Sequence, residues 1–469
     1  MNFIVIVCDT LRRDFLGCYG NSWVDTRHID SWARQGLVCE EAYAASFPTV
    51  PNRHDSMTGR YTCAYAEWAP LPREEPVLAE ILGRAGYVTM MIADNPHILE
   101  NGFHYDRGFQ GWEWIRGQES DRWQTAPREP ALPAAAHKIR NPERLMRVHL
   151  RNVAWRQFED DTFVARTMTA AAHWLERNWR NKPFFLYVDT FDPHEPWDPP
   201  QWYVDRYDPG YEGEVVSYPV YGPADYLSPA ELQHMRALYA AEVTLVDRWV
   251  GRLLEKIEDM GLLDDTLVIL TSDHGFLLGE HGCVGKSHIT ERWSRYIPLY
   301  EEIARVPFIV RGPGVRPGRC QGYVQAPDIM PTLLSLAGIK ERPPMDGLDL
   351  WPLFAGQSGL AREMAITAPT LIHGGLGAAR ATLTAGRWSY ICAARQVPEA
   401  ALQTRAVDGL AKEQLREPGP EALYDRESDP AQEKDVLQEH QELARELRAR
   451  FIALLRQWRT DPAVIALWE

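Results

Sequence analysis

A threonine followed by proline two residues later and arginine four residues later is the arrangement in this sequence best suited to nucleophilic chemistry. It is the run Thr49-Val50-Pro51-Asn52-Arg53, and Gly59 follows it. Proline favours the first turn of a helix and glycine its end, so the run predicts a short helix with Thr49 at or just before its N-terminus. The N–H groups and dipole there favour an anion, including an ionised hydroxyl. Arg53 adds a positive charge one turn on. We therefore predict Thr49 as a nucleophile, with a simple N-cap as the alternative.

Acidic and imidazole side chains follow several compact apolar runs. They are Asp9 after residues 3–7, Asp94 after 88–93, Asp189 after 184–188, and Asp273 with His274 after 266–271. Such β-branched runs are typical of buried strands. Because the carboxyl ends of parallel strands meet at one edge of a sheet, we expect these side chains to converge on one site.

Helical patterns separate these runs and indicate the fold class. They cover residues 76–85, 160–177 and 229–260, and the last begins with Ser228 and Glu231 at the spacing of a capping box. Strands that alternate with helices form a mostly parallel sheet with helices on both faces. The sequence therefore predicts an α/β fold built on one large sheet.

The chain is long enough for two domains, and its pattern changes near residue 375. We predict a catalytic α/β domain of residues 1–374, in which segments 117–156 and 200–228 are long insertions or loops near the entrance to the site. Short strand patterns and one amphipathic helix at about 429–459 then predict a smaller C-terminal α+β domain of residues 375–469.

Composition and charge exclude several classes of partner. With a formal net charge of −15, the chain has no surface suited to neutralising the phosphates of a nucleic acid. No apolar stretch approaches the ~20 residues that span a bilayer. The seven cysteines show no CxxC spacing, which favours reduced thiols in the cytoplasm. We expect a cytoplasmic protein that binds a small anionic ester, without nucleic-acid or membrane partners, and we leave homo-oligomer formation open.

A series of motifs resembles those of the sulfatase family, in the alkaline phosphatase superfamily. The nucleophile run resembles the signature in which Cys or Ser precedes x-Pro-x-Arg and, later, Thr-Gly-Arg-Tyr, here at 58–61. The other motifs are Asp9-Thr10-Leu11-Arg12-Arg13-Asp14, Ser272-Asp273-His274-Gly275, Gly279-Glu280-His281-Gly282, Gly285-Lys286, Arg305-Val306-Pro307, Asp328-Ile329-Met330-Pro331-Thr332 and Leu423-Tyr424-Asp425. One such match arises by chance, whereas all of them in family order are specific. The resemblance implies an alkaline-phosphatase-like fold and a metal-dependent ester hydrolase.

The resemblance also implies a metal site. It assigns Asp9, Asp273 and His274 as ligands of one divalent ion, with the hydroxyl oxygen of Thr49 approaching the same ion. Many sulfatases hold calcium through oxygen ligands alone, whereas an imidazole in the set favours a borderline transition ion. We therefore expect Mn²⁺ first and Zn²⁺ second, with Ca²⁺ or Mg²⁺ ranked behind them.

Further family positions surround the expected substrate. His194 resembles the family histidine that faces the leaving group, and we predict that it donates a proton there. Lys286 fits the family lysine that neutralises non-bridging oxygens, and Arg53 is predicted to hold the nucleophile in place. The predicted substrate-binding residues are Asn95, His97 and His288. Because Asn95 stands where many sulfatases carry lysine, one positive charge is missing, which fits a singly charged diester.

Threonine at position 49 is the departure from the family that decides the chemistry. Sulfatases oxidise their Cys or Ser to formylglycine, but the methyl group of threonine would give a ketone instead of an aldehyde. We expect no formylglycine, and an unmodified Thr49 oxygen that forms a covalent intermediate. The first prediction is a hydrolase of phosphodiesters or phosphonate monoesters, similar in site pattern to family members of that class. A sulfuric ester hydrolase acting on sulfate monoesters is the alternative. A phosphotransferase, a phosphomutase or a non-catalytic homologue ranks behind both.

Overall fold

The strand that ends beside Asp9 lies at the centre of the largest sheet. A computed structural model describes residues 1–126, 129–289, 294–357, 362–374, 379–397 and 419–469, without the side chains of residues 288, 289, 294 and 295. This central strand runs Asn2–Cys8 and is buried along its whole length. The residue that follows it therefore lies at the sheet edge without leaving the protein interior.

Strands and helices alternate through most of the chain. The strands are β1 (Asn2–Cys8), β2 (Leu37–Cys39), β3 (Ala42–Tyr43), β4 (Val88–Ala93), β5 (Gly111–Trp114), β6 (Phe184–Thr190), β7 (Gly222–Pro223), β8 (Thr266–Thr271), β9 (Leu277–Leu278), β10 (Cys283–Gly285), β11 (Ser287–Ile289), β12 (Ser294–Tyr296), β13 (Phe308–Arg311), β14 (Gly318–Cys320), β15 (Val324–Gln325), β16 (Ala365–Thr367), β17 (Arg380–Ala385), β18 (Trp388–Ala393) and β19 (Ala422–Asp425). The α-helices are α1 (Arg27–Arg34), α2 (Thr49–Thr58), α3 (Leu78–Arg84), α4 (Pro96–Leu99), α5 (Arg147–Val153), α6 (Phe163–Asn178), α7 (Gln201–Val204), α8 (Pro229–Asp259), α9 (Glu301–Ala304), α10 (Ile329–Leu336), α11 (Trp351–Phe354), α12 (Gln441–Gln457) and α13 (Pro462–Ile465).

Eight strands of the described chain form the large sheet, in the order β14-β2-β13-β8-β1-β6-β4-β5. β1 pairs in parallel with β8 and β6, and β4 pairs in parallel with β6 and β5. β13 runs antiparallel to both β8 and β2. The mostly parallel sheet predicted from the sequence is therefore confirmed.

Helices cover both faces of this sheet because successive side chains of β1 point to opposite faces. Ile4 and Ile6 join the core beneath α1, α6 and α8. Phe3, Val5 and Val7 join the core beneath α2, α3 and α10. Burial on both faces explains why the strand is an unbroken apolar run.

A smaller antiparallel sheet, β16-β17-β18-β19, forms the C-terminal part of the protein. α12 packs on this sheet and contributes Leu447, Phe451 and Leu455 to the shared core. The first strand of the small sheet precedes residue 375, so the sheet includes chain from the predicted larger domain. The division into two domains at residue 375 stays a prediction.

Helix α12 is shorter than the helix predicted at about residues 429–459. It begins at Gln441 and not near Asp429, because aspartate side chains hold the preceding residues in turns. Asp429 accepts hydrogen bonds from the backbone N–H groups of Glu433 and Lys434 at 3.2 and 2.8 Å. Asp435 accepts one from the backbone of the next turn at 2.9 Å. Such side-chain bonds compete with helical backbone bonds.

The longest helix, α8, begins as its sequence predicted. Ser228 Oγ accepts a hydrogen bond from the N–H of Glu231 at 3.3 Å, and Glu231 Oε2 accepts one from the N–H of Ser228 at 2.8 Å, which confirms the capping box. In the described part of the chain, neither α8 nor any other helix combines the length and the apolar character needed to cross a bilayer. The cellular compartment stays a prediction.

The end of α2 yields a stability prediction. Gly59 has φ +71°, and a Cβ there would lie 2.9 Å from Cγ of Met345. Gly59→Ala should lower the free energy of unfolding by about 1–3 kcal/mol, because the left-handed backbone and the contact both oppose a side chain. Gly86→Ala is the matched control, since Gly86 also has a positive φ (+92°) but a Cβ there meets no atom within 4 Å. Urea unfolding curves should show the larger loss for Gly59→Ala. Equal losses would contradict the role of Met345.

Candidate active site

α2 places Thr49 in the buried interior of the site. Thr49 is the first residue of the helix and is 1% exposed. The helix ends at Gly59 in the left-handed conformation, as the proline and glycine pattern predicted. Thr49 Oγ1 lies 3.4 Å from His274 Nε2. The predicted nucleophile therefore lies at a helix N-terminus and beside an imidazole. The helix dipole favours the ionised form of its hydroxyl, and burial shields the hydroxyl from solvent.

Three adjacent strands bring carboxylates to one level of the sheet edge. Val7 in β1 pairs in register with Thr271 in β8 and with Asp189 in β6. Asp9 follows β1 by one residue and Asp273 follows β8 by two, and all three carboxylates are 0% exposed. Parallel register thus gathers side chains that lie far apart in the sequence.

The guanidinium of Arg53 lies among these carboxylates. Its Nε and Nη2 donate to the two oxygens of Asp189 at 2.9 Å each. Its Nη1 lies 3.1 Å from Asp9 Oδ2 and donates to Asp273 Oδ2. Nη1 also contacts the carbonyl oxygen of Thr49 at 3.4 Å. The planar fork of arginine therefore fixes the carboxylates relative to the start of α2.

The charges and donor atoms of this cluster fit a divalent metal ion. Asp9, Asp189 and Asp273 bring three negative charges and Arg53 brings one positive charge, which leaves two negative charges. Burial, with repulsion from Asp273, raises the pKa of Asp9, so the excess charge is a real cost. Ligand atoms of Asp9, Asp273 and His274 lie within 4.8 Å of one another. Two carboxylate oxygens and one imidazole nitrogen suit a transition ion, and the identity of the metal stays a prediction.

His274 has the orientation that ligation requires. Its Nδ1 lies 3.1 Å from the carbonyl oxygen of Gly275. Its Nε2 faces the carboxylates, 3.4 Å from Asp273 Oδ2 and 3.9 Å from Asp9 Oδ1. Burial, with Lys286 acting against Asp273, lowers the pKa of His274 to about 3. The ring is therefore neutral, as a metal ligand must be.

Thr10 adopts a backbone conformation that is rare for a β-branched residue. Its φ is +63°. The conformation directs its N–H to Asp273 Oδ1 at 3.0 Å and its hydroxyl to Asp9 Oδ1 at 2.8 Å. Strain of this kind is concentrated at functional sites. Thr10 therefore orients both predicted carboxylate ligands, a role that no sequence pattern signals.

Asn95 lies against the carboxylates of the cluster. Its Nδ2 is 3.4 Å from Asp9 Oδ2 and 3.3 Å from Asp189 Oδ1, and its Oδ1 accepts a hydrogen bond from the N–H of His97 at 3.0 Å. The side chain is 0% exposed. Its observed partners are thus protein carboxylates and the first turn of α4, and its predicted contact with substrate stays a prediction.

A buried lysine joins His274 to His194. Lys286 Nζ lies 3.2 Å from His274 Nε2 and 3.0 Å from His194 Nε2. Burial lowers the pKa of Lys286, and burial with the charge of Lys286 lowers the pKa of His194. His194 Nδ1 lies 2.7 Å from the carbonyl oxygen of Glu195. Nδ1 therefore carries the proton of the neutral ring, and Nε2 accepts from Lys286.

His97 lies at the outer side of the site, with its side chain 26% exposed. Its Nε2 is 3.1 Å from Glu119 Oε2. Its ring lies 5.3 Å from that of Trp68 and 5.5 Å from that of Phe191. Phe191 also stacks on His194 at 4.0 Å. The two histidines therefore share one aromatic neighbour and belong to one continuous site.

Three acidic residues in this site had no role assigned from the sequence. The sequence pattern pointed to Asp189, because this residue directly follows a predicted strand. Glu195 had a weaker signal, since it follows His194 directly. Glu119 had none, because it lies in segment 117–156, where no regular pattern fixes its position. The backbone of His288 lies in β11, and its side chain lies outside the described residues.

Comparisons with known proteins agree on one family. The model of the sulfatase family matches residues 1–339. An arylsulfatase of Clostridium perfringens is 26% identical over 400 residues, which cover 77% of this chain and 80% of that protein. The choline-sulfatase of Rhizobium meliloti is 25% identical over 469 residues, 92% of this chain and 81% of that protein. The crystal structure of a phosphonate monoester hydrolase of Agrobacterium radiobacter has a TM-score of 0.71 at 20% identity, over 97% of this chain and 96% of that one. The resemblance and the fold expected from the motifs are confirmed.

Metal removal should lower the stability of the protein, because it leaves the excess negative charge of the carboxylates uncompensated. Titrating Mn²⁺, Zn²⁺, Ca²⁺ or Mg²⁺ into chelator-treated protein should raise the thermal midpoint. At a metal concentration of 100 Kd the gain is about 2.7 kcal/mol. Differential scanning fluorimetry measures the shift and ranks the four ions.

Two aspartate variants make this measurement specific. Asp273→Asn should abolish the metal-dependent shift. Asp55→Asn is the matched control, because Asp55 is equally buried but bonds to Ser46 and Thr62. It should lower the midpoint with and without metal while keeping the shift between them. A full shift in Asp273→Asn would contradict the assigned ligand.

Proposed function

This chain belongs to the sulfatase family of the alkaline phosphatase superfamily, and from that premise we propose that it hydrolyses phosphodiesters or phosphonate monoesters through a covalent intermediate on Thr49. Family membership makes it a metal-dependent hydrolase of ester bonds. The observation that carries the narrower proposal is Thr49 itself. Its hydroxyl stands at the start of α2, 3.4 Å from His274 Nε2, and in the motif that resembles the family signature it takes the place of the residue that sulfatases oxidise.

Threonine restricts how a covalent intermediate is released. A formylglycine diol has a second hydroxyl on the same carbon, which helps to eject sulfate after transfer. Thr49 has a methyl group there, so water must attack the transferred group directly. Attack of water on phosphorus in a phosphorylated threonine restores the free hydroxyl in one displacement. Phosphorus esters therefore rank before sulfate esters.

The charge beside Thr49 fits a substrate with a single negative charge. Arg53 is committed to Asp9, Asp189 and Asp273. Among the described residues, Lys286 Nζ contacts two imidazoles and no carboxylate. One such lysine beside a divalent ion suits a phosphodiester or phosphonate monoester better than the dianion of a phosphate monoester.

The reaction divides into two displacements. In the first, the Thr49 hydroxyl loses its proton as Oγ1 bonds to phosphorus, and the bond from phosphorus to the leaving oxygen breaks. His194, after taking up one proton at Nε2, protonates that oxygen, so one proton is released and one is delivered. A divalent ion held by Asp9, Asp273 and His274 would supply positive charge that favours the ionised form of the Thr49 hydroxyl and polarises the bound ester. In the second, water attacks phosphorus, the bond to Thr49 breaks and its hydroxyl is restored. Lys286 offsets charge on the non-bridging oxygens in both.

A sulfate monoester hydrolase is the second candidate. The two relatives described above are named as an arylsulfatase and a choline-sulfatase, and a sulfate monoester also carries one negative charge. This candidate requires water to attack the sulfur of a sulfated Thr49, because threonine lacks the second hydroxyl from which a geminal diol eliminates sulfate.

A panel of esters with one shared aryl leaving group separates these candidates. We expect the highest kcat/KM with the phosphodiester or the phosphonate monoester. Thr49→Ala should lower kcat by at least about 10³-fold, because it removes the nucleophile. Thr49→Ser is the matched control, since it keeps the hydroxyl and loses only the methyl group. Turnover of the sulfate ester alone would overturn the phosphorus assignment.

Mass spectrometry tests the intermediate independently of the panel. Acid quench during turnover should yield a peptide containing Thr49 that carries the transferred group, a substituted phosphoryl group from a phosphodiester or a phosphonyl group from a phosphonate monoester. This adduct should be absent from Thr49→Ala. Protein made with or without a formylglycine-generating enzyme should show an unmodified Thr49 and equal activity. Activity that depends on that enzyme would contradict the proposal.

A further inference from the structure

The two segments predicted as insertions pair with each other beside the active site. The N–H of Arg140 donates to the carbonyl of Tyr218 at 3.0 Å, and the N–H of Val220 donates to the carbonyl of Lys138 at 3.1 Å. Segment 117–156 is thereby joined to segment 200–228. This pairing places Arg140 next to the chain that carries His194.

Arg140 lies among two glutamates and two tyrosine rings. Its Nη2 donates to Glu195 Oε1 at 2.9 Å and lies 3.6 Å from Glu119 Oε1. Its guanidinium carbon lies 4.4 and 4.2 Å from the ring centres of Tyr218 and Tyr221. The Tyr218 hydroxyl donates to Glu119 Oε1 at 2.6 Å, and the Tyr221 hydroxyl donates to Glu195 Oε1. Each glutamate therefore has one oxygen held by the shared arginine and by its own tyrosine.

The second oxygen of each glutamate faces a histidine of the site. Glu119 Oε2 lies 3.1 Å from His97 Nε2, and Glu195 Oε2 lies 3.2 Å from His194 Nδ1. Both oxygens are buried and make no hydrogen bond within the described part of the chain. A buried carboxylate oxygen that lacks a hydrogen bond is costly, and the imidazole nitrogen beside each of these oxygens is placed to offset that cost.

We propose that Glu195 and Glu119, joined through Arg140, are positioning residues that orient His194 and His97 toward the leaving group of the substrate. The backbone carbonyl of Glu195 accepts the Nδ1 proton of His194. The carboxylate beside the same nitrogen limits rotation of the ring and favours its protonated form, which is the form that donates a proton to a leaving group. Segment 117–156 is then part of the catalytic site, because it supplies both Glu119 and Arg140. The inference rests on the proposed function only in that an ester leaving group lies beside His194.

Nearby ion pairs provide a control for a merely structural role. Lys138 Nζ donates to Glu214 Oε2 at 2.6 Å and to Glu231 Oε1 at 2.5 Å. These bonds also tie segment 117–156 to segment 200–228 and to the start of α8, but none of them contacts a histidine. Lys138→Met therefore loosens the same segments without touching the proposed positioning residues.

Two esters that differ only in their leaving group test the inference in the full-length, metal-loaded enzyme. A 4-nitrophenolate departs without a proton, whereas a phenolate benefits from protonation. Glu195→Gln should lower kcat/KM about 10-fold or more for the phenyl ester and much less for the 4-nitrophenyl ester. His194→Ala should also lower kcat/KM more for the phenyl ester than for the 4-nitrophenyl ester, by a larger factor than Glu195→Gln. Lys138→Met should change kcat/KM for both esters by the same factor.

Double variants show whether each glutamate acts through its histidine. Adding Glu195→Gln to His194→Ala should cause no further loss, and adding Glu119→Gln to His97→Ala should behave in the same way. Equal losses for both leaving groups, or fully additive double variants, would overturn the inference. If Glu195→Gln fails to fold, Tyr221→Phe takes its place in the test, because it removes one hydrogen bond to Glu195 without a change of charge. It should lower kcat/KM more for the phenyl ester than for the 4-nitrophenyl ester, by a smaller margin than expected for Glu195→Gln.

The ester class is chosen by the panel described above, which keeps the two proposals separable. Turnover of sulfate esters alone would overturn the phosphorus assignment, and the same phenyl and 4-nitrophenyl pair, as sulfate esters, would still test the positioning residues. Equal losses for both leaving groups with phosphorus esters would overturn the positioning role and leave the proposed function standing.

Discussion

The contact of one arginine with three buried carboxylates is the constraint on which the rest of the site depends. A buried charge without a partner costs several kcal/mol. Arg53 offsets one of the charges that Asp9, Asp189 and Asp273 bring to this buried sheet edge, and a divalent ion would offset the others. This arrangement requires β8, β1 and β6 to end at one level and α2 to point its first turn at the same place. The parallel register of the sheet is thus a condition for the site as well as for the fold.

The same arginine links the proposed nucleophile to the predicted metal ligands. Because Nη1 of Arg53 contacts the carbonyl of Thr49 while the guanidinium holds the carboxylates, one side chain sets both positions. Thr49 is consequently placed through its backbone, and its hydroxyl faces His274 Nε2 at 3.4 Å. This geometry does not depend on prior oxidation of residue 49, so the loss of the formylglycine precursor removes one chemical route and leaves the scaffold intact.

The sequence was sufficient to predict the parts of the protein that follow from periodic patterns. The large sheet, the cap of α8 and the convergence of Asp9, Asp273 and His274 all follow from apolar runs and what comes after them. The predicted start of α12 was wrong, because hydrogen bonds to the side chain of Asp429 stabilise turns before the helix, and hydrophobic periodicity does not detect such turns. The left-handed Thr10 had no signal either, since its conformation is imposed by contacts across the sheet edge.

The two sides of the site are built by different means, and this difference separates what family membership implies from what it leaves open. Strand ends and α2 build the nucleophile side, so its geometry follows the fold. Loop segments that supply Glu119 and Arg140 build the leaving-group side, and loops vary among relatives far more than the elements that they connect. Relatives at 25–26% identity therefore inform the class of reaction better than the substrate. Under the proposed function and the positioning role inferred above, Thr49 and the predicted metal ligands determine the reaction, and the segments that hold His97 and His194 determine the discrimination among leaving groups.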